Sequence, residues 1–166
     1  MTQTLKRWTR LSGLPLGKKV FSVAVGLRAP YFSTIRATIQ VVEPNHAALL
    51  IRRRRRVTNH IGSVHAIALC NGLEGVAALV AEASIPPNTR WIPTGMEVQY
   101  LAKADGDIVC VGKTSPESWT SGSQQVSVEV HGERSDGTTV IRGRIHLKVT
   151  STPSGRLKSV DASAKV

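Results

Sequence analysis

Residues 64–83 read VHAIALCNGLEGVAALVAEA and form the longest apolar run of the sequence. Fourteen of its twenty residues are Ala, Val, Ile, Leu or Cys, so the segment predicts a helix that is buried on most sides. Glu74 interrupts it, and a carboxylate near the centre of a lone membrane span costs about 2.5 to 3.5 kcal/mol. We therefore expect the core helix of a soluble domain, beginning after an N-cap at Ser63 and ending before the proline pair at 86–87.

Alternating apolar and polar residues on both sides of this helix predict β-strands. The last strand is the clearest, because Ile145, Leu147 and Val149 alternate with basic and polar residues. Two strands, the helix and then four strands lack the regular strand-helix alternation of a parallel sheet. We therefore expect an α+β fold in which an antiparallel sheet of about six strands covers one long helix. The predicted strands are 34–42, 47–53, 97–103, 107–113, 124–133 and 138–150.

The chain length of 166 residues suits one domain with short extensions. We predict an N-terminal helical arm over residues 1–31, a main domain over 32–150 and a flexible C-terminal tail over 151–166. Apolar residues recur near helical spacing in the arm, and Pro15 interrupts them. These residues are Leu5, Trp8, Val20, Val23, Ala24 and Leu27.

The composition is strongly basic, with 22 Lys or Arg against 11 Asp or Glu and a formal net charge of +11. A hydrophobic fraction of 41% excludes a disordered polyelectrolyte. Aromatic residues make up only 4%, and no helix-turn-helix or base-stacking platform is visible, which argues against nucleic acid as the partner. The first 42 residues hold seven of the basic residues and no acidic one, a pattern that also occurs in mitochondrial transit peptides.

The two cysteines, Cys70 and Cys110, lie inside apolar runs and at no metal-ligand spacing to any histidine. We therefore expect reduced, buried thiols in a cytoplasmic protein with no metal and no cofactor. A membrane partner is not expected either.

Glu74 is the only formally charged side chain in residues 57–81. Burial of a carboxylate in an apolar helix raises its pKa unless hydrogen-bond donors surround it, which makes residue 74 a candidate for acid-base chemistry. The alternatives are a polar contact at a subunit interface and a solvent-exposed stripe shared with Asn71. The residue pattern leaves these interpretations open.

The run NHIGSVHAIALCNGLEG at residues 59–75 resembles the hotdog-fold acyl-CoA thioesterases, and most closely their phenylacetic-acid-degradation type. The signature of that type is an Asn, a His six residues later followed by two glycines, and a carboxylate nine residues after the His. Asn59, His65 and Glu74 fall at these spacings. The longer phrases RRRRRVTNHIGSVHAIALCN and RWIPTGMEVQYLAKADGDI resemble a hotdog subgroup of uncharacterised thioesterases.

The resemblance implies hydrolysis of an acyl-CoA or acyl-carrier thioester. In this scheme Glu74 acts as general base or nucleophile, while Asn59 and His65 position the carbonyl or the water. Ala66 and Ile67 replace the two family glycines, and an Ala N–H at a helix N-terminus still stabilises an oxyanion. The expected substrate-binding residues are Ala66, Gly62, His60, Arg54 and Arg56.

The spacing of His65 and Glu74 points to a second subunit. Nine residues correspond to two and a half turns and about 13 Å along a helix, so the two side chains are expected on opposite sides. Two antiparallel helices around a two-fold axis, as in hotdog dimers, place Asn59, His65 and Ala66 of one chain opposite Glu74 of the other. We predict an obligate homodimer and leave its further pairing into a tetramer open.

Other functions stay open on the same residues. Hotdog acyl-carrier-protein dehydratases carry a His and a Glu fourteen residues later, as His60 and Glu74 do, but the proline-rich stretch around that His is missing. A non-catalytic module that binds acyl-CoA or nucleic acid is the second alternative. The five arginines at 52–56 suit a solvated strand end or recognition of CoA phosphates, because arginine forks bind phosphate.

Overall fold

The computed structural model describes residues 1–119 and 124–152. The tail predicted over 151–166 lies outside the described residues from position 153 onward. The helices are α1 (Gln3–Ser12), α2 (Gly17–Arg28), α3 (Pro30–Ser33) and α4 (Ala66–Ser84). The strands are β1 (Thr38–Glu43), β2 (His46–Ile51), β3 (Thr89–Tyr100), β4 (Ile108–Lys113), β5 (Gln124–Arg134) and β6 (Thr139–Ser151).

The six strands form one antiparallel sheet in the order β1-β2-β4-β5-β6-β3. Helix α4 packs on this sheet through apolar side chains, and those of Leu73, Val76 and Val80 have no exposed surface. By length and composition α4 could also cross a membrane, but half of its most apolar window is buried inside the fold. The predicted α+β architecture of one long helix and six antiparallel strands is confirmed.

Two glycines allow α4 to approach the sheet closely. A Cβ at Gly72 would lie 2.8 Å from the sulfur of Cys110, and a Cβ at Gly112 would lie 3.2 Å from the backbone of Val76. Neither position has room for a side chain without displacing its neighbour. The apolar side of the helix is therefore held against β2 and β4, and the opposite side of α4 faces away from the sheet.

Helix α4 begins two residues later than predicted, because Ser63 is not its N-cap. The N–H of Val64 donates to the carbonyl of Ala104 at 2.8 Å, so the chain is still extended at that point. His65 caps the helix instead, since its Nδ1 accepts the N–H of Ile67 at 3.1 Å. The histidine of the predicted site therefore also determines where the helix starts.

Two strand boundaries also differ from the prediction. Strand β1 begins at Thr38 rather than 34, because Arg36 adopts a positive φ of 44°, which extended strands do not contain. Strand β3 covers Thr89–Tyr100 rather than 97–103. It is an edge strand with mostly exposed side chains, so it lacks the alternation by which strands are recognised in a sequence.

The N-terminal helices pack over the β1 edge of the sheet. Trp8 of α1 and Phe21 of α2 meet edge to face with ring centroids 5.1 Å apart, and both rings belong to the buried core. Two polar contacts add to this packing. The hydroxyl of Thr4 donates to Glu82 of α4 at 2.9 Å, and the hydroxyl of Ser22 accepts the N–H of Ile39 in β1 at 2.8 Å.

We predict that β3 depends on the glycine that faces it in β6. A Cβ at Gly143 would collide with the carbonyl oxygen of Glu97, so Gly143→Ala forces the two strands apart. The free energy of unfolding, measured by urea denaturation, is expected to fall by about 1–3 kcal/mol. Gly106→Ala is the matched control, because a Cβ there meets no atom within 4 Å. Equal losses in the two variants would contradict the prediction.

Candidate functional site

The loop before α4 is organised by Asn59. Its side-chain Oδ1 accepts the backbone N–H groups of Ile61 and Ser63, both at 3.1 Å, and its own N–H donates to the Ser63 carbonyl. Gly62 completes the turn with a φ of 78°. The carbonyl oxygen of the Asn59 side chain is therefore committed to the loop, and only its amide nitrogen is left for a substrate.

His65 lines a groove of about 430 Å³ between α3 and the start of α4. The other lining residues include Tyr31, Thr34, Arg56, Ile67 and Asn71. Asn71 was considered in the sequence only as part of an exposed stripe, yet its Nδ2 lies 3.3 Å from the carbonyl of Tyr31 and 3.4 Å from the hydroxyl of Thr34. A polar residue inside the apolar run was the signal that could have identified it.

The first helical amide of α4 is open. Ile67 donates its N–H to the His65 ring, and His65 donates its own N–H to Val57, whereas no hydrogen bond among residues 1–119 and 124–152 uses the N–H of Ala66. This amide stands at the positive end of a 19-residue helix dipole. A free N–H in this position is suited to bind a negatively charged oxygen.

Glu74 is exposed on the protomer and lies outside the groove. The argument that placed His65 and Glu74 on opposite sides of the helix does not apply, because His65 is the N-cap, precedes the first helical turn and does not follow the 100° periodicity. Asn71 and Ile67, three and seven residues before Glu74, share its helix face and also line the groove. The axial separation of about 13 Å between residues 65 and 74 nevertheless remains.

The arginines at 52–56 divide into two groups. Arg54 is half-buried, and its guanidinium donates to the carbonyls of Ile35 and Arg36 at 3.3 and 2.7 Å. Arg53 donates its Nε to the Gly62 carbonyl and its N–H to Asp107, both at 2.7 Å. These two arginines hold the loop in place. The other three, Arg52, Arg55 and Arg56, are exposed.

Of the predicted site residues, His65 and Arg56 lie together along the groove. Asn59 and Gly62 shape the adjoining loop, Arg54 is occupied by backbone carbonyls, and His60 is exposed without lining the groove. The structure therefore brings His65 and Arg56 together in the groove, whereas Glu74 lies outside it on the exposed surface of α4.

The two thiols do not form a nucleophilic site. Burial raises the pKa of Cys110 to about 12, so this thiol stays protonated at neutral pH. Cys70 is half-buried on α4, and its sulfur lies 3.1 Å from the phenol oxygen of Tyr100. That hydrogen bond, followed by burial, raises the pKa of Tyr100 to about 12. Within the described part of the chain, no group of His, Cys, Asp or Glu could hold a metal ion.

A chain of polar contacts on β3, β5 and β6 resembles a catalytic triad. His146 lies 2.8 Å from the hydroxyl of Ser127 through Nδ1 and 3.3 Å from Glu97 through Nε2. The Glu97 side chain is 73% exposed, so water screens its interaction with the ring. His146 alternates along β6 with the buried Ile145 and Leu147, which places this cluster on the sheet face opposite α4.

Residues 17–149 match the family described as Domain of unknown function (DUF4442). The chain belongs to this family. The crystal structure of genomics protein APC5556 is 38% identical to this DUF4442 chain, covering 90% of it and 98% of its own length with a TM-score of 0.78. No curated protein matches the chain.

Two further solved structures share the fold of this DUF4442 protein at low identity. PA5026 from Pseudomonas aeruginosa, described as a probable thioesterase of unknown function, is 20% identical over 83% of this chain and 97% of its own, with a TM-score of 0.72. The thioesterase HI1161 from Haemophilus influenzae is 10% identical over 76% of this chain and 86% of its own, with a TM-score of 0.65. The hotdog fold is confirmed.

Proposed function

We propose that this protein hydrolyses acyl thioesters. The observation that carries the proposal is the unused N–H of Ala66 at the start of α4, beside a groove that His65 lines. Attack on a thioester carbonyl places negative charge on its oxygen, and a preorganised amide at a helix N-terminus stabilises that charge. The fold neighbours named as thioesterases support the same reaction class.

Glu74 is the proposed general base or nucleophile. As a base its carboxylate removes a proton from water, and the resulting hydroxide attacks the carbonyl carbon. The carbon–sulfur bond then breaks, and the Glu74 carboxyl returns the proton to the departing sulfur, so that a thiol and a carboxylic acid are released. The exposure of Glu74 on the protomer leaves it accessible to a partner subunit. Because His65 and Ala66 lie about 13 Å away along α4, the proposed site takes its carboxylate from a second chain.

The exposed edge of β3 supports a homodimer. Within residues 1–119 and 124–152 no strand pairs with the outer edge of β3, and such an edge is a template for pairing with another chain. Large apolar side chains are exposed on the strand and just after it: Ile92 at 59%, Met96 at 38%, Tyr100 at 52% and Leu101 at 47%. Pairing of two β3 edges about a two-fold axis would cover backbone groups and apolar surface together.

The exposed arginines favour a CoA ester over other thioesters. Arg56 lines the groove, and Arg55 is its exposed neighbour. Guanidinium groups bind phosphates in a bidentate manner, and the nucleotide part of CoA supplies them. Membership of the phenylacetic-acid-degradation type and a cytoplasmic location are kept as parts of this proposal. The dehydratase alternative gains no support, because His60 does not line the groove.

The first prediction from the proposed function concerns Glu74. Glu74→Gln removes the base while keeping the size of the side chain, so kcat for thiol release from acyl-CoA esters is expected to fall about a hundredfold or more. Glu82→Gln, two turns further along α4, is the matched control, since its amide oxygen can accept from Trp91 and its amide nitrogen can donate to the hydroxyl of Thr4. Unchanged turnover in Glu74→Gln would remove Glu74 from the mechanism.

A second prediction tests the composite site with Ala66→Pro. Proline is tolerated at the first helical position but has no N–H, so this variant keeps α4 and loses the proposed oxyanion donor. The loss in kcat is expected to be about 10²–10³-fold. Exchange of subunits between inactive Ala66→Pro and Glu74→Gln dimers then creates heterodimers with one intact site.

This exchange should restore about a quarter of the wild-type activity, because half of the dimers are mixed and each mixed dimer has one of two sites intact. Native mass spectrometry, with one variant labelled with ¹⁵N, measures the fraction of mixed dimers after exchange. No recovery of activity in demonstrably mixed dimers would show that Glu74 and Ala66 act within one chain.

A third prediction separates CoA recognition from catalysis. The double variant Arg55→Ala/Arg56→Ala is expected to raise KM for acyl-CoA severalfold with kcat unchanged, because phosphate contacts bind the ground and transition states equally. KM for the matching N-acetylcysteamine thioester, which has no nucleotide phosphates, should not change. Arg142→Ala/Arg144→Ala on β6 removes the same charge elsewhere and serves as control. Equal effects on both substrates would contradict phosphate recognition.

A further inference from the structure

Helix α2 exposes an apolar stripe that the fold does not cover. Val20, Val23 and Leu27 are 55%, 62% and 80% exposed, and Leu16 directly before the helix is 67% exposed. Successive residues of an α-helix turn by 100°, so the three helical positions fall within an arc of about 60°. The arm was predicted from these apolar residues, and the structure shows that α2 turns this part of them outward.

The opposite face of α2 already has its packing partners. Phe21 is buried on that side and packs against Trp8 of α1. The stripe is therefore a second apolar face, which a helix packed on one side of a domain does not need for folding. Contiguous exposed apolar residues of this kind mark an interaction surface.

The charges around the stripe indicate the chemistry of its partner. Lys19 and Arg28 are exposed on α2 and flank the stripe, at about 40° from Val23 and about 80° from Val20 around the helix. Residues 1–42 contain no Asp or Glu, so no acidic side chain of the arm offsets these cations. An apolar stripe flanked only by cations complements a surface that is apolar inside and anionic outside, as an anionic lipid layer is.

The position of α2 keeps this surface separate from the β3 edge. Helix α2 contacts β1, which is one end of the strand order, whereas β3 is the other end. Pairing of two β3 strands would therefore leave the α2 stripe uncovered in both subunits. Tyr31 of α3, which is 69% exposed, follows Leu27 by four residues and also lines the groove of His65.

We propose that α2 docks the protein on anionic lipid surfaces, with Val20, Val23 and Leu27 entering the interface and the neighbouring Lys and Arg contacting lipid phosphates. This is peripheral binding in the plane of the membrane, and α4 stays in the core. The sequence-based expectation of no membrane partner considered only helices that cross a bilayer. The present proposal departs from that expectation, because a helix can also bind the surface of a membrane. It does not depend on thioester hydrolysis, so a failure of either proposal leaves the other intact.

Co-sedimentation of the full chain with vesicles tests the proposal. Vesicles of phosphatidylcholine and phosphatidylglycerol in equal amounts are expected to bind the protein at least tenfold more strongly than vesicles of phosphatidylcholine alone. Val23→Ser/Leu27→Ser should reduce binding to the mixed vesicles at least tenfold, because the apolar anchor is lost. Lys19→Glu/Arg28→Glu should do the same by charge reversal.

Two controls match these variants. Lys113→Glu/Lys148→Glu makes the same change in net charge on the sheet and should leave at least half of the binding. Ile92→Ser removes an exposed apolar side chain on β3 and should likewise have little effect. Circular dichroism confirms that each variant is folded.

The proposal is overturned if the wild-type chain does not bind the mixed vesicles, or if the controls weaken binding as much as the α2 variants do. It is also overturned if Val23→Ser/Leu27→Ser leaves vesicle binding unchanged and instead lowers the mass of the assembly in light scattering. In that case the stripe is a contact between copies of the chain.

Discussion

Helix α4 packs closely on β2 and β4, and this packing determines which side of the helix is buried and which side is exposed. Val76 and Val80 are fully buried against the sheet, and Gly72 and Gly112 remove the side chains that would hold the two layers apart. Burial of this apolar side leaves the opposite side of the helix as the place for polar groups. Glu74 therefore stands where a second molecule can reach it.

The start of α4 depends on contacts from several other segments. Asn59 shapes the preceding loop, the Val64 amide is bound by Ala104, and Arg54 joins the chain before β1 to the arginine run. Together they bring the chain to His65 in an extended conformation, so that the ring of His65 caps Ile67 and the Ala66 amide stays unpaired. If the Ala66 amide is the oxyanion donor, as proposed, its neighbours hold it in place before the substrate arrives.

Periodicity in the sequence was sufficient to predict the helix and the antiparallel sheet, because the elements involved each bury one continuous face. It missed most of β3, since an edge strand with both faces largely exposed shows no alternation. It also chose Ser63 as the cap of α4, and this assignment failed because the hydrogen bond between Val64 and Ala104 connects residues distant in the chain. Local pattern contains no information about such bonds, nor about the backbone contacts of Arg54.

The edge of the sheet formed by β3 carries an irregularity whose effect reaches beyond the protomer. Pro93 has no N–H, and the pairing with β6 shifts register between Pro93 and Gly95. An incoming strand therefore meets an interrupted ladder before Gly95 and a regular one from Met96 to Tyr100. Such an edge can pair with one partner strand over a short stretch. It opposes the repeated edge-to-edge pairing of many chains that produces fibres.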